Sequence, residues 1–213
     1  KGIDTGMGLE RLAMIVQGGR SVFATDTLRP LIDAAEEFLE RKIDRGSEEG
    51  ISVNVVADHV RALAFCFAEG IMPSNDGRGY VLRRLLRRAS RRMRMLGAHK
   101  PLLYRLVGVV TDVMKDAYPE LSQKREHIAR VTKAEEERFE NTLELGISRF
   151  EELVEKLSAA GEKTVSGLDV FTLYDTYGFP PDLTEEMAGE KGLEIDLRGF
   201  ETEMEKQRKS AQE

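Results

Sequence analysis

The chain of 213 residues contains no tryptophan, one cysteine and six prolines, and only 7% of its side chains are aromatic. The lone Cys66, within the apolar run Leu63-Ala64-Phe65-Cys66-Phe67, can neither close an internal disulfide nor anchor a cysteine-based zinc site. A disulfide scaffold is thereby excluded, and a reducing, cytosolic setting is expected. No stretch of 18 uncharged apolar residues occurs, so no membrane-spanning segment is expected, and the opening residues lack the apolar core of a secretory signal. Charge is abundant instead. Charged residues make up 33% of the chain against 41% hydrophobic, above the roughly 25% charged fraction of ordinary globular domains, which suits helices with solvated faces. The length is enough for one or two domains with a real core.

Acidic residues are wholly missing from residues 77–111, which hold ten basic ones: Arg78, Arg83, Arg84, Arg87, Arg88, Arg91, Arg92, Arg94, Lys100 and Arg105. The formal net charge is −6, so the rest of the chain carries −16. Positive charge this concentrated is the electrostatic footprint of an anion such as a nucleic-acid backbone, whose phosphates match the arginine fork. The other reading is a basic helix paired with acidic helices of the same chain.

Periodicity predicts an almost wholly helical protein. One helix is expected over residues 9–16, stopped by Gly18 and Gly19. A second follows Asp26 as N-cap and ends near Gly46. Residues 47–52 read as a loop and Asn54 as the cap of a third helix that stops at Gly70. The basic helix is expected over 79–96, then one from Pro101 to about Tyr118. Residues 120–157 carry no proline and no paired glycine, which predicts a helix of about ten turns, roughly 55 Å long. Its Glu135-Glu136-Glu137 run reads as a solvated face rather than a metal cluster. Short helices near 168–174, 182–191 and 197–212 complete an all-α fold, with at most a strand remnant in residues 1–5. No repeat or low-complexity tract occurs. A first residue other than methionine and a polar, helical last segment lead us to expect a piece of a larger protein.

Two glycine-rich elements can carry chemistry. In Asp4-Thr5-Gly6-Met7-Gly8-Leu9-Glu10-Arg11-Leu12, the glycines let backbone approach a ligand, and the helix start offers unpaired N–H groups to an anion. Arg11 lies one turn into that helix. A plain strand-to-helix turn remains the alternative, since the spacing does not make a dinucleotide fingerprint. In Pro73-Ser74-Asn75-Asp76-Gly77-Arg78-Gly79-Tyr80-Val81-Leu82-Arg83-Arg84, a polar turn is fused to the basic helix. Such a turn can show Asn75 to base edges while arginines hold the backbone, or it can be a structural turn only. His59, His99 and His127 are too far apart in sequence to suggest a metal site.

The first element resembles motif 3 of class II aminoacyl-tRNA synthetases. Val56-Ala57-Asp58-His59-Val60-Arg61-Ala62, the Pro73 turn with its arginines to Arg88, and Phe171-Thr172-Leu173-Tyr174-Asp175-Thr176-Tyr177-Gly178-Phe179-Pro180-Pro181 resemble the alanyl-tRNA synthetase family in order and spacing, as do Gly199-Phe200-Glu201 and Gln207-Arg208. The resemblance covers essentially the whole chain. It implies that residues 1–45 end a class II aminoacylation domain and residues 46–213 form a helical tRNA-recognition domain. It implies a parent ligase that activates alanine with ATP and Mg2+ and transfers it to tRNA.

By the same resemblance Arg11 binds ATP phosphates, Asp4 holds the alanine amino group, and Gly6 and Gly8 allow their close approach. A guanidinium against phosphate charge and a carboxylate against an ammonium group make electrostatic sense. Asn75 and Asp175 would read a G·U wobble pair in the acceptor stem of alanine tRNA, with Arg78, Arg84 and Arg88 on the RNA backbone. An A-form minor groove is wide enough for side chains, an amide or carboxylate oxygen can accept from the guanine 2-amino group, and an Asn can also donate to a uracil carbonyl. For Asp175 a helix-end or turn role is the alternative. No metal ligand is expected here. Zinc belongs to the family's editing domain, expected after Glu213, and motifs 1 and 2 are expected before Lys1, so the chain by itself is expected not to activate alanine. The competing readings are a non-catalytic helical RNA-binding module and a structural adaptor.

Overall fold

The computed structural model describes Gly2 and residues 6–210; Asp4 and the strand end expected around it lie outside these. Among the described residues the chain is nearly all helix: α1 (Leu9–Val16), α2 (Arg29–Phe38), α3 (Glu48–Ala68), α4 (Gly77–Met95), α5 (Leu103–Met114), α6 (Pro119–Ala160), α7 (Gly167–Tyr177), α8 (Pro181–Glu190) and α9 (Leu197–Ser210). The expected all-α class holds. The strands that do occur, β1 (Thr164–Val165) and β2 (Glu194–Ile195), are two residues each and pair in parallel, Thr164 with Glu194 and Val165 with Ile195. The chain divides into two compact units, Lys1–Glu136 and Glu137–Glu213, and α6 supplies residues to each.

In the first unit α3 is central and packs against α2, α4 and α5. Val53, Val56, Val60, Leu63 and Phe67 recur at helical spacing and are all fully buried, each worth about 1.5–3 kcal/mol by burial. By length and composition alone α3 resembles a membrane span, yet half of that apolar window is buried in this core. Its start corrects the sequence expectation. Ser47, and not Asn54, caps it, the Ser47 Oγ accepting from the Gly50 amide at 3.2 Å. Residues 48–52 form its first turn, where Glu48 and Glu49 favour the positive end of the helix dipole. A Cβ on Gly50 would lie 2.6 Å from the Asp44 and Arg45 carbonyl oxygens, so close packing requires a glycine there.

Asp26 does not cap α2 either, its carboxylate accepting from Gln17 Nε2 at 2.8 Å. The helix starts at Arg29 with Pro30 in its first turn. It ends at Phe38, well before Gly46, because Glu40 turns the chain at φ 55° and Glu36 ties the following loop back. Glu36 is 3% exposed and accepts from the Ile43 amide at 3.0 Å and Lys42 Nζ at 3.0 Å, with Arg45 Nη2 at 2.9 Å. Burial opposes its ionisation, but the Ile43 amide, Lys42 and Arg45 outweigh it and hold the carboxyl below its usual range.

The second unit is built on Phe139, Leu143 and Phe150 of α6, with Val170, Leu173, Phe179 and Leu183 against them. Two glycines set its close approaches. A Cβ on Gly146 would lie 2.2 Å from the Phe179 ring, and one on Gly167 would lie 2.3 Å from the Gly199 carbonyl carbon, where α7 meets α9. Gly178 ends α7 at φ 71°, while the Phe179 amide bonds back to the Leu173 carbonyl at 2.9 Å. This left-handed cap turns Phe179 into the core, where it is fully buried.

Candidate nucleic-acid interface

The polar turn before α4 is locked by its own glycines. Gly77 has φ 56°, a conformation that suits glycine. A Cβ on Gly79 would stand 2.2 Å from both the Met72 carbonyl oxygen and the Ser74 Oγ, and Ser74 Oγ donates to the Asp76 carbonyl at 2.8 Å. The turn therefore lies flat on the first turn of α4, with Asn75, Asp76 and Arg78 exposed. Arg83, two turns along, reaches back and donates from Nη1 to Asn75 Oδ1.

The arginines of α4 are not a uniform solvated stripe. Leu82, Leu86, Ala89 and Met93 face the core, which leaves the basic residues around the remaining circumference. Arg83 Nε lies 3.0 Å and Arg87 Nη2 2.9 Å from Glu135 Oε1. Arg91 is 6% exposed, and Arg92 donates to Ser52 Oγ at 3.3 Å. Arg84 and Arg88 are half-buried and engaged with other groups of the chain. Much of this positive charge is therefore met within the protein, as the second reading of the basic helix anticipated. Arg78 is exposed.

The acidic run is corrected accordingly. Glu135 and Glu136 are each 3% exposed, not on a solvated face. Glu136 accepts from the Leu102 and Leu103 amides at 3.0 and 2.9 Å and from the Tyr104 amide at 3.0 Å. It satisfies the otherwise orphaned N–H groups at the start of α5, where a carboxylate also suits the helix dipole. A basic segment without any acid was the available signal that a neighbouring glutamate run had partners.

Asp175, in the second unit, lies in the last turn of α7 and is exposed. A carboxylate at a helix C-terminus faces the negative end of the dipole, an arrangement costing about 0.3–1 kcal/mol. Its one described side-chain hydrogen bond is accepted by Oδ1 from Gln207 Nε2 of α9 at 2.6 Å. Gln207 was recognised only as part of the motif, without a role.

At the first glycine element, Gly8 occupies the N-cap of α1 and no side chain caps that end. Gly6, Gly8 and Arg11 are all exposed, and among the described residues Arg11 has no acidic partner. Glu10, beside it, is taken by Arg61 of α3. The apolar side of the helix is open too, with Leu9 58%, Ile15 70% and Val16 77% exposed. Of the histidines, His59 is mostly buried with Nδ1 3.1 Å from Asp58, His99 is exposed beside Arg94, and His127 is half-buried beside Arg130. Among the described residues no group of three or more His, Cys, Asp or Glu side chains can hold a metal ion.

Comparison with known proteins gives a consistent answer. The class II (A) tRNA synthetase family model matches residues 1–213. The chain is 50% identical over 211 residues to an alanine–tRNA ligase of Halalkalibacterium halodurans, covering 99% of this chain and 24% of that protein. It is 50% identical over 221 residues to one of Lysinibacillus sphaericus and 48% identical over 213 residues to one of Carboxydothermus hydrogenoformans. These alignments cover 98% and 100% of the chain and 24% of each relative, so the chain spans about a quarter of the length of the relatives it matches. The chain belongs to the class II (A) tRNA synthetase family.

Proposed function

We propose that the chain is the segment of an alanine–tRNA ligase that runs from motif 3 through the acceptor-stem-reading helices. In this reading residues 1–45 belong to the aminoacylation domain and residues 46–213 to the tRNA-recognition domain. The parent enzyme works in the cytosol, forms alanyl-adenylate from alanine and ATP with Mg2+, and passes the alanine to its tRNA. Arg11 meets the ATP phosphates, Gly6 and Gly8 let them approach, and Asp4 holds the alanine ammonium. The open N-terminus of α1 and the exposed Arg11 favour an anion there. The uncovered apolar side of α1 suits a helix that packs within a larger domain.

For the RNA, Asn75 and Asp175 read the wobble pair while Arg78 contacts the backbone, with Arg84 and Arg88 adding positive potential. The observation that carries this reading is the glycine-locked turn. It holds an exposed Asn75 on a basic helix, a pre-organised contact that a plain connecting turn does not need. An RNA-binding module without catalytic ancestry leaves the uncapped α1 and Arg11 without a role. The test is pyrophosphate exchange by a full-length ligase that contains this chain. Arg11→Ala should slow alanine activation by about 100-fold, as expected when roughly 3 kcal/mol of transition-state charge stabilisation is lost. An unchanged rate removes Arg11 from the site.

A further inference from the structure

We propose that Arg83 is a positioning residue that fixes the polarity of Asn75, so that the turn offers the RNA an amide NH2 donor and never the amide carbonyl. The inference rests on the reading of Asn75 as a base-edge contact. Its basis is chemical. A guanidinium has donors only, so the Asn75 atom facing it must be the carbonyl oxygen; the reverse orientation sets donor against donor. Oδ1 accepts from Arg83 Nη1, which leaves Nδ2 for the outside, and Asn75 is exposed.

Arg83 is itself held. Its side chain is 16% exposed and its Nε is 3.0 Å from Glu135 Oε1. Glu135 is nearly buried and is held a second time by Arg87 at 2.9 Å. The backbone under Asn75 is fixed by Gly77 and by the absence of room at Gly79. The relay therefore runs from a buried carboxylate through an arginine to an exposed amide. Without Arg83 the terminal torsion of Asn75 has two comparable wells and shows either face. The consequence is selective. Replacing uracil by cytosine exchanges the 4-carbonyl acceptor for a 4-amino donor on the major-groove edge, and a fixed NH2 group that reaches this edge tolerates the first and opposes the second.

The experiment measures dissociation constants of the whole chain for two acceptor-stem duplexes that differ only in G·U against G·C, and reads their ratio. Arg83→Met should reduce the ratio about tenfold, and Arg83→Lys, which keeps one donor, should retain part of it. Asn75→Asp is the decisive variant. Its carboxylate still accepts from Arg83 and leaves Glu135 undisturbed, yet it turns an acceptor outward, so the ratio should collapse as fully as with Asn75→Ala. Any general loss from the added negative charge falls on both stems and cancels in the ratio. If Asn75→Ala abolishes the preference while Asn75→Asp or a folded Arg83→Met keeps it, the positioning role is overturned and the base-contact reading stands. A drop in melting temperature for Arg83→Met with equal losses on both stems makes Arg83 merely structural and also overturns it. If the unaltered chain shows no preference, or Asn75→Ala retains it, the base-contact reading itself falls.

Discussion

The two residues assigned to the wobble pair are held in opposite ways. Asn75 sits on a turn that two glycines lock and that Arg83 ties to the buried Glu135. Asp175 sits at the unfavourable end of its helix, with Gln207 of α9 as its described side-chain hydrogen-bond donor. The first is an amide whose orientation is dictated by a donor-only neighbour. The second is a carboxylate, an acceptor in any orientation, so it needs a place more than a polarity. The difference teaches that a residue able to show two faces needs a supporting partner, whereas one with a single face can stand at a position that costs stability.

Substitutions can break or sharpen this contrast. The largest effect is expected from Gly79→Ala, which drives a methyl group into the Met72 carbonyl oxygen and the Ser74 hydroxyl. It should cost about 3 kcal/mol of unfolding free energy by urea titration and displace Asn75 with it. A wild-type midpoint would show that the turn is not locked. Asn75→Ala should remove about 2 kcal/mol of G·U over G·C discrimination in duplex binding, while stability stays within about 0.5 kcal/mol.

Asp175→Asn should behave differently. Discrimination should fall, but the melting temperature should hold or rise, because removing the charge relieves up to about 1 kcal/mol of repulsion from the helix end. A lowered melting temperature would make Asp175 structural. The smallest effect concerns the first unit alone. The folded-state pKa of Glu36 is lowered from 4.5, so its contribution is fully present above that value and is lost as the pH falls through the lowered one. Glu36→Gln should flatten the pH dependence of stability below about pH 4.5; an identical acid profile would remove Glu36 from the loop anchor.

Local patterns were legible where the element carries its own signal. The expected range of α1 is the observed one, α6 extends only a few residues beyond its expected bounds, and Gly178 with its paired prolines marks the turn after α7. What could not be read depends on partners far along the chain. Ser47 rather than Asn54 begins α3 because Gly50 packs on the Asp44 and Arg45 carbonyls, and helical periodicity does not report such a contact. The glutamate run looked solvated because its partners, Arg83, Arg87 and the start of α5, lie more than 30 positions away. At the candidate site, Asn75 and Arg11 were singled out from their motifs. That Arg83 turns back onto Asn75 was hidden, since the pairing depends on how the turn folds against the helix. Asp175 was legible only through the family resemblance; its conflict with the helix dipole needed the helix end to be located.

The most direct measurement is the affinity of the whole chain for two alanine acceptor-stem duplexes, identical except for G·U or G·C, at one fixed salt concentration. The account predicts at least about tenfold tighter binding of the wobble stem, the worth of one good base-edge contact. Equal affinities would reduce the chain to a backbone-binding helical module and contradict the assignment of Asn75 and Asp175.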